Sequence, residues 1–81
     1  MNRTEALDMV KASITDVVPD ADVAALGPDD AFRDALEMDS LDFLSFVELL
    51  SGRSGVRIED EDTTQLSTLS GSADFLIAHT R

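Results

Sequence analysis

The chain has no cysteine, tryptophan or tyrosine and only two prolines among its 81 residues. Without cysteine there is no disulfide and no thiolate metal site, and nothing in the chain demands an oxidising compartment. No apolar run approaches the roughly 20 residues needed to cross a bilayer. The opening Met1-Asn2-Arg3-Thr4-Glu5 leads into an amphipathic pattern rather than the apolar stretch of a signal peptide, so a cytoplasmic, non-membrane protein is expected. Basic residues are also scarce, with six Lys and Arg facing 17 Asp and Glu for a formal net charge of −11. Nucleic acid, whose backbone demands the opposite sign, is thereby excluded as a partner.

What the chain does have is one block of acid and several amphipathic stretches. Thirteen of the 17 acids lie between Asp20 and Asp62. Such a surface attracts proteins bearing Arg and Lys patches, through contacts that weaken as salt screens them. Acidity of this kind also keeps a small domain soluble, whatever else it does. The hydrophobic fraction of 43% supports a modest core, and the length suits one domain spanning residues 1–81.

Residues 3–18 form the first expected helix. Ala6, Leu7, Val10, Ile14, Val17 and Val18 share one face, Asn2 and Glu5 have capping-box spacing, and Pro19 stops the helix. Residues 19–38 are a long connection rich in turn and cap residues, with Val23, Leu26, Phe32, Leu36 and Met38 spaced to pin it over a core and a short helical turn around Asp30–Ala35. A second helix starts at Asp39-Ser40, both good N-cap residues, with Asp42 favoured by the dipole in its first turn. Leu41, Leu44, Val47 and Leu50 recur along it, Phe43 and Phe46 widen the stripe, and Gly52 suits its left-handed C-terminal residue. Val56-Arg57-Ile58 then alternates like a strand but has no partner strand, so it is read as an extended segment inserting Val56 and Ile58 into the core. The acids at 59–62 precede a short third helix over Thr63–Leu66, and Ser70 caps a last helix to about His79, with Ala73, Leu76, Ile77 and Phe75 inward. The fold class is therefore all-α: a four-helix bundle with a short third helix and a long loop between the first two.

Catalytic chemistry finds little support. The one imidazole, His79, sits in the last turn of the last helix, and no third residue is available to orient a Ser40–His79 pair. There is no glycine-rich phosphate loop. An EF-hand starting at Asp60 would have Gln65 where glycine is required and Gly71 where the bidentate acid belongs, and a start at Asp20 would end on Ala31. No metal ligand is assigned. The residues alone thus describe a capped acidic helical domain.

The order and spacing of these parts resemble the acyl carrier proteins, over essentially the whole chain. The resemblance rests on Asp39-Ser40-Leu41-Asp42 opening the second helix, on Val56-Arg57-Ile58 downstream of the serine, and on Asp74-Phe75-Leu76 in the last helix. It implies that Ser40 is esterified with 4′-phosphopantetheine from coenzyme A by a separate phosphopantetheinyl transferase. The arm's thiol would then hold acyl groups as thioesters for enzymes of fatty-acid, polyketide or related biosynthesis, and the carrier itself would catalyse nothing. It further implies a monomer that meets basic patches on acyl-loading and acyl-transfer enzymes. Leu41, Asp42, Phe43 and Glu48 are the candidates for the exposed partner face. Asp39 either helps present the serine or simply caps the helix, Phe46, Val47 and Leu50 are core, and Leu44 is either core or lining for a bound chain.

Some positions depart from the family pattern. Glu37 stands where a glycine three residues before the serine is common, Ser45, Ser51 and Gly52 replace usual acids, and Phe43 replaces a smaller residue. A carrier specialised to one pathway fits better than a housekeeping one, and the absence of a Gly-Gly-Asp/His-Ser loop argues against a peptidyl carrier. The alternative is an acidic helical module that binds a basic partner and never carries a prosthetic group.

Charge alone generates one test. Because 11 uncompensated negative charges repel one another, millimolar Mg²⁺ or Ca²⁺ is expected to raise the melting temperature more than NaCl at matched ionic strength. Equal stabilisation by the two salts rules out a divalent site.

Overall fold

Asn2 opens the first helix as the pattern requires: its Oδ1 accepts the Glu5 amide at 2.8 Å and its Nδ2 donates to the Glu5 carboxylate at 2.8 Å. In the computed structural model, which describes residues 1–80, this helix, α1, spans Arg3–Val17. A one-turn helix, α2, spans Phe32–Ala35; α3 spans Ser40–Ser54; a 3₁₀ helix covers Asp60–Leu66; and α4 spans Leu69–His79. A further 3₁₀ turn at Val23–Ala25, not expected from the sequence, breaks up the long connection. Helix is the only regular secondary structure among the described residues apart from an isolated bridge between Ala31 and Thr68, and none of their helices is long and apolar enough to cross a membrane.

The helices share one core, with α1 lying against both α3 and α4. Ala6, Val10 and Ile14 from α1 meet Phe46, Val47 and Leu50 from α3 and Leu69, Ala73, Phe75 and Leu76 from α4, all buried. Burying large apolar side chains such as these is worth about 1.5–3 kcal/mol each. Exposed polar contacts tie the helices at their edges. Arg3 pairs with Asp74 at 2.5 Å and also donates to the Ser70 hydroxyl at 2.6 Å, which joins α1 to α4. Arg53 pairs with Asp16 and donates to the Ser13 hydroxyl at 3.2 Å, which joins α3 to α1.

That Arg53 contact explains why α3 runs past the glycine expected to end it. Gly52 stays inside the helix, Arg53 uses the added turn to reach α1, and Gly55 takes the left-handed cap at φ 72°. A long-range contact here overrides a local stop signal. Two other boundaries shift. The acids expected ahead of the short third helix lie partly within it, where the Glu59 amide donates to the Asp62 carboxylate at 3.0 Å. Thr68 rather than Ser70 caps α4, accepting the Gly71 amide at 2.9 Å, while the Ser70 amide donates to Pro28. Gly71 is required there, since a Cβ would lie 2.8 Å from the Gln65 carbonyl oxygen. Ile77 was expected inward and is instead 37% exposed, because Leu69, Ala73 and Leu76 already form the face that α4 buries.

The long connection is pinned as its apolar spacing predicts. Phe32 is fully buried and its ring meets Phe46 edge-on at 5.2 Å. Met38 is 5% exposed, and Val23, Leu26 and Leu36 pack partly buried against the core. The Phe32 amide also bonds Ser67, and with the Ser70–Pro28 bond this holds the loop to the start of α4. Val56 enters the core at 6% exposure, while Ile58 packs at its margin.

Two buried serines differ in how their hydroxyls are satisfied. Ser13 back-bonds to the Met9 carbonyl at 2.9 Å, whereas the Ser72 hydroxyl is buried with no partner. An unpaired buried hydroxyl costs about 1–3 kcal/mol. Ser72→Ala is therefore expected to raise the melting temperature by roughly 4–8 °C per kcal/mol recovered, as read by thermal circular dichroism; a lower melting temperature would mean that the hydroxyl has a partner in solution.

Candidate functional site

The site is built where the long connection meets α3. Asp39 is the N-cap, in extended conformation, and its Oδ1 accepts the Asp42 amide at 2.8 Å. Ser40 is the first residue of the helix and is exposed, so its hydroxyl stands at the positive end of the α3 dipole. The turn that delivers it is unusual. Glu37 has φ 54°, the one non-glycine residue among those described with positive φ. It lies three residues before Ser40, the position where the family resemblance implies glycine.

Arg33 is the residue that the sequence reading missed. Its Nη2 lies 3.3 Å from the Ser40 hydroxyl, its Nε donates to the Met38 carbonyl at 3.4 Å, and its guanidinium carbon sits 5.0 Å from the Phe43 ring centre. A lone Arg in an acidic loop gave no signal, because its proximity to Ser40 depends on the path of the loop around Phe32.

Beside Ser40 runs an open groove of about 320 Å³, walled by Phe43, Leu44, Val47 and Ile58 and rimmed by Arg33, Glu59, Asp60 and Thr63. Its floor is apolar, and Ser40 is at its edge. A smaller groove of about 240 Å³ adjoins it, sharing Arg33, Phe43 and Thr63. Phe43 is therefore not on the exposed side, where the sequence reading put it: it is half-buried, its ring 6.0 Å from that of Phe46, because the extended Val56–Glu59 segment leaves a recess for it. Leu41 and Leu44 do project outward, at 74% and 52% exposure, so Leu44 both lines the groove and reaches solvent. Glu48 is exposed and Asp42 half-exposed on the same helix. Phe46, Val47 and Leu50 are buried, as expected.

The residues fit an anionic group carried on the serine: an accessible hydroxyl, a helix N-terminus, a nearby guanidinium, and an apolar groove leading away. Among the described residues no three His, Asp or Glu side chains are placed to hold a metal ion. Comparison with known families agrees with that fit. Residues 8–76 match the family model described as "Phosphopantetheine attachment site". The acyl carrier protein of Thermosynechococcus vestitus is 34% identical over 76 residues, covering 94% of this chain and 93% of that protein. The chain belongs to the acyl carrier protein family. The acyl carrier protein of Rubrobacter xylanophilus is 29% identical over 79 residues, covering 98% of this chain and 96% of its own, and that of Myxococcus xanthus is 33% identical over 55 residues, covering 68% and 70%.

Membership makes the protein a carrier rather than a catalyst, with 4′-phosphopantetheine attached covalently. An interaction module without a prosthetic group therefore gives way to the carrier. Membership implies interaction with acyl-handling enzymes and with a transferase.

The strained turn ahead of Ser40 is testable. A left-handed residue with a Cβ costs about 1–2 kcal/mol, part of which glycine gives back through unfolded-state entropy. Glu37 is exposed and its side chain forms no hydrogen bond or ion pair among the described residues. Glu37→Gly is thus expected to stabilise the fold by up to about 1 kcal/mol in urea unfolding; destabilisation would show that the Glu37 side chain contributes a contact that outweighs its backbone.

Proposed function

We propose that this protein is an acyl carrier of a single domain over residues 1–81, loaded at Ser40. The observation that carries the assignment is the position of that hydroxyl: exposed, first in α3, within reach of Arg33 and at the mouth of the apolar groove. When bound, the prosthetic group supplies a flexible arm ending in the protein's only thiol, on which acyl groups are held as thioesters. The chain's own part is to present and orient. Asp39 fixes the start of the helix, the dipole favours negative charge on Ser40, and Phe43, Leu44, Val47 and Ile58 offer an apolar surface to the cargo.

The transferase and the acyl-loading and acyl-transfer enzymes are expected to meet Asp39, Leu41, Asp42 and Glu48 through Arg- and Lys-rich patches. The exposed Leu41 and Leu44, flanked by carboxylates, support this: an apolar centre with a charged rim suits brief docking. Phe43, also a partner candidate on sequence, serves the groove wall in this reading. The carrier is further read as a cytoplasmic monomer in fatty-acid, polyketide or related biosynthesis, serving one specialised pathway. The divergent positions support specialisation. At Ser45 and Gly52, where acids are usual, the helix instead borders a shallow depression with Glu48, Leu49 and Arg53, which alters the charge a partner meets.

Incubation with coenzyme A, Mg²⁺ and a promiscuous phosphopantetheinyl transferase is expected to add one phosphopantetheinyl group by intact mass. Ser40→Ala should remove that shift entirely while leaving helical content and melting temperature nearly unchanged, since the exposed hydroxyl has only the long Arg33 contact. Modification of the alanine variant would place the attachment elsewhere.

A further inference from the structure

Three of the arginines described are engaged by carboxylates: Arg3 by Asp74, Arg53 by Asp16 and Arg57 by Glu59. Arg33 is different. In a chain with net charge −11, no carboxylate among the described residues lies at ion-pair distance from it. Its guanidinium is held in place all the same. Phe32, the preceding residue, is fully buried; Nε donates to the Met38 carbonyl; and the Phe43 ring lies under the charged plane. That leaves Nη2 directed at the Ser40 hydroxyl at 3.3 Å, a long contact to a neutral acceptor.

Such an arrangement is poorly matched to a hydroxyl and well matched to an anion. A guanidinium presents parallel N–H donors that take two oxygens of one phosphate, and the bond strengthens when the acceptor is charged. A phosphodiester on Ser40 places its charged oxygens on the atom bonded to Oγ, within reach of the same fork. We infer that Arg33 is a positioning residue for the modified carrier: it pairs with the phosphodiester on Ser40 and sets the arm off along the groove it borders with Phe43. The inference rests on attachment at Ser40.

The sign of the effect follows from charge. Modification adds a negative charge beside Asp39 and Asp42 in an already acidic chain; the α3 dipole offsets part of that repulsion, and Arg33 is the cation placed to answer the rest. With Arg33 in place, conversion from apo to modified protein raises the melting temperature by roughly 2–6 °C, the size of one exposed charge-assisted pair in a domain of this length. In Arg33→Gln that rise is lost or reversed. Arg33→Lys, which keeps the charge without the fork, retains part of it, and 0.5 M NaCl diminishes it in the wild type.

The experiment compares apo and modified forms of wild type, Arg33→Gln and Arg33→Lys, each with its mass confirmed, by thermal unfolding and by the ³¹P chemical shift of the phosphodiester. A structural role alone would lower both forms of a variant equally and leave the ³¹P shift unmoved. The expected result is a ³¹P signal displaced in Arg33→Gln and intermediate in Arg33→Lys, together with the lost thermal increment. An identical ³¹P shift and an identical increment in all three proteins overturn the inference. If Arg33→Gln proves too unstable to compare, the lysine variant decides by the same two readouts. Failure of the attachment reading is separate and visible first, as a wild-type protein whose mass shift is absent or survives Ser40→Ala.

Discussion

The contact between Phe32 and Phe46 is the one on which the functional end of the molecule depends. Phe32 belongs to a connection that has little regular structure of its own, and a loop of that length would ordinarily be the least ordered part of a small domain. Burying one aromatic ring against a helix that is itself buried against α1 changes this, because the loop cannot lift away without exposing both rings. The neighbours of Phe32 then fall into place. Arg33 projects toward Ser40, Met38 enters the core with Leu36 packed against it, and the chain is delivered into α3 through Glu37 and Asp39.

The delivery is made at a cost. Glu37 adopts a backbone conformation that glycine would adopt freely, three residues before Ser40. An acid at that point keeps the turn but adds strain and charge to it. Together with serine and glycine at 45 and 52, it sets the electrostatic outline around α3, whose cap and groove are formed by other residues.

Much of the architecture was legible from pattern. The apolar period placed α1 and the core face of α3 because burial is decided by which residues share one side of a helix. Pro19 ended α1, and the spaced apolar residues of the connection were recognised as anchors, since few other roles suit a buried Phe in a polar loop. The errors were local signals overruled at a distance. Gly52 did not stop α3 because Arg53 had a partner on α1, and Ile77 stayed outside because the buried face of α4 was already complete. Phe43 turned inward because an extended segment far along the chain left room beside it.

The sequence by itself determined the acidic all-helical class, the placement of Ser40 at the start of a capped helix, and the family to which that order of parts belongs. Those features depend on side chains within a few residues of one another, and on composition, which needs no coordinates. Only the tertiary structure decided that Arg33 meets Ser40 and Phe43, that a groove opens between α3 and the Ile58–Thr63 segment, and that Glu37 sits in a left-handed turn. Each of these is set by how a loop folds back over a core, and packing settles that path between residues whose separation along the chain carries no periodic signal.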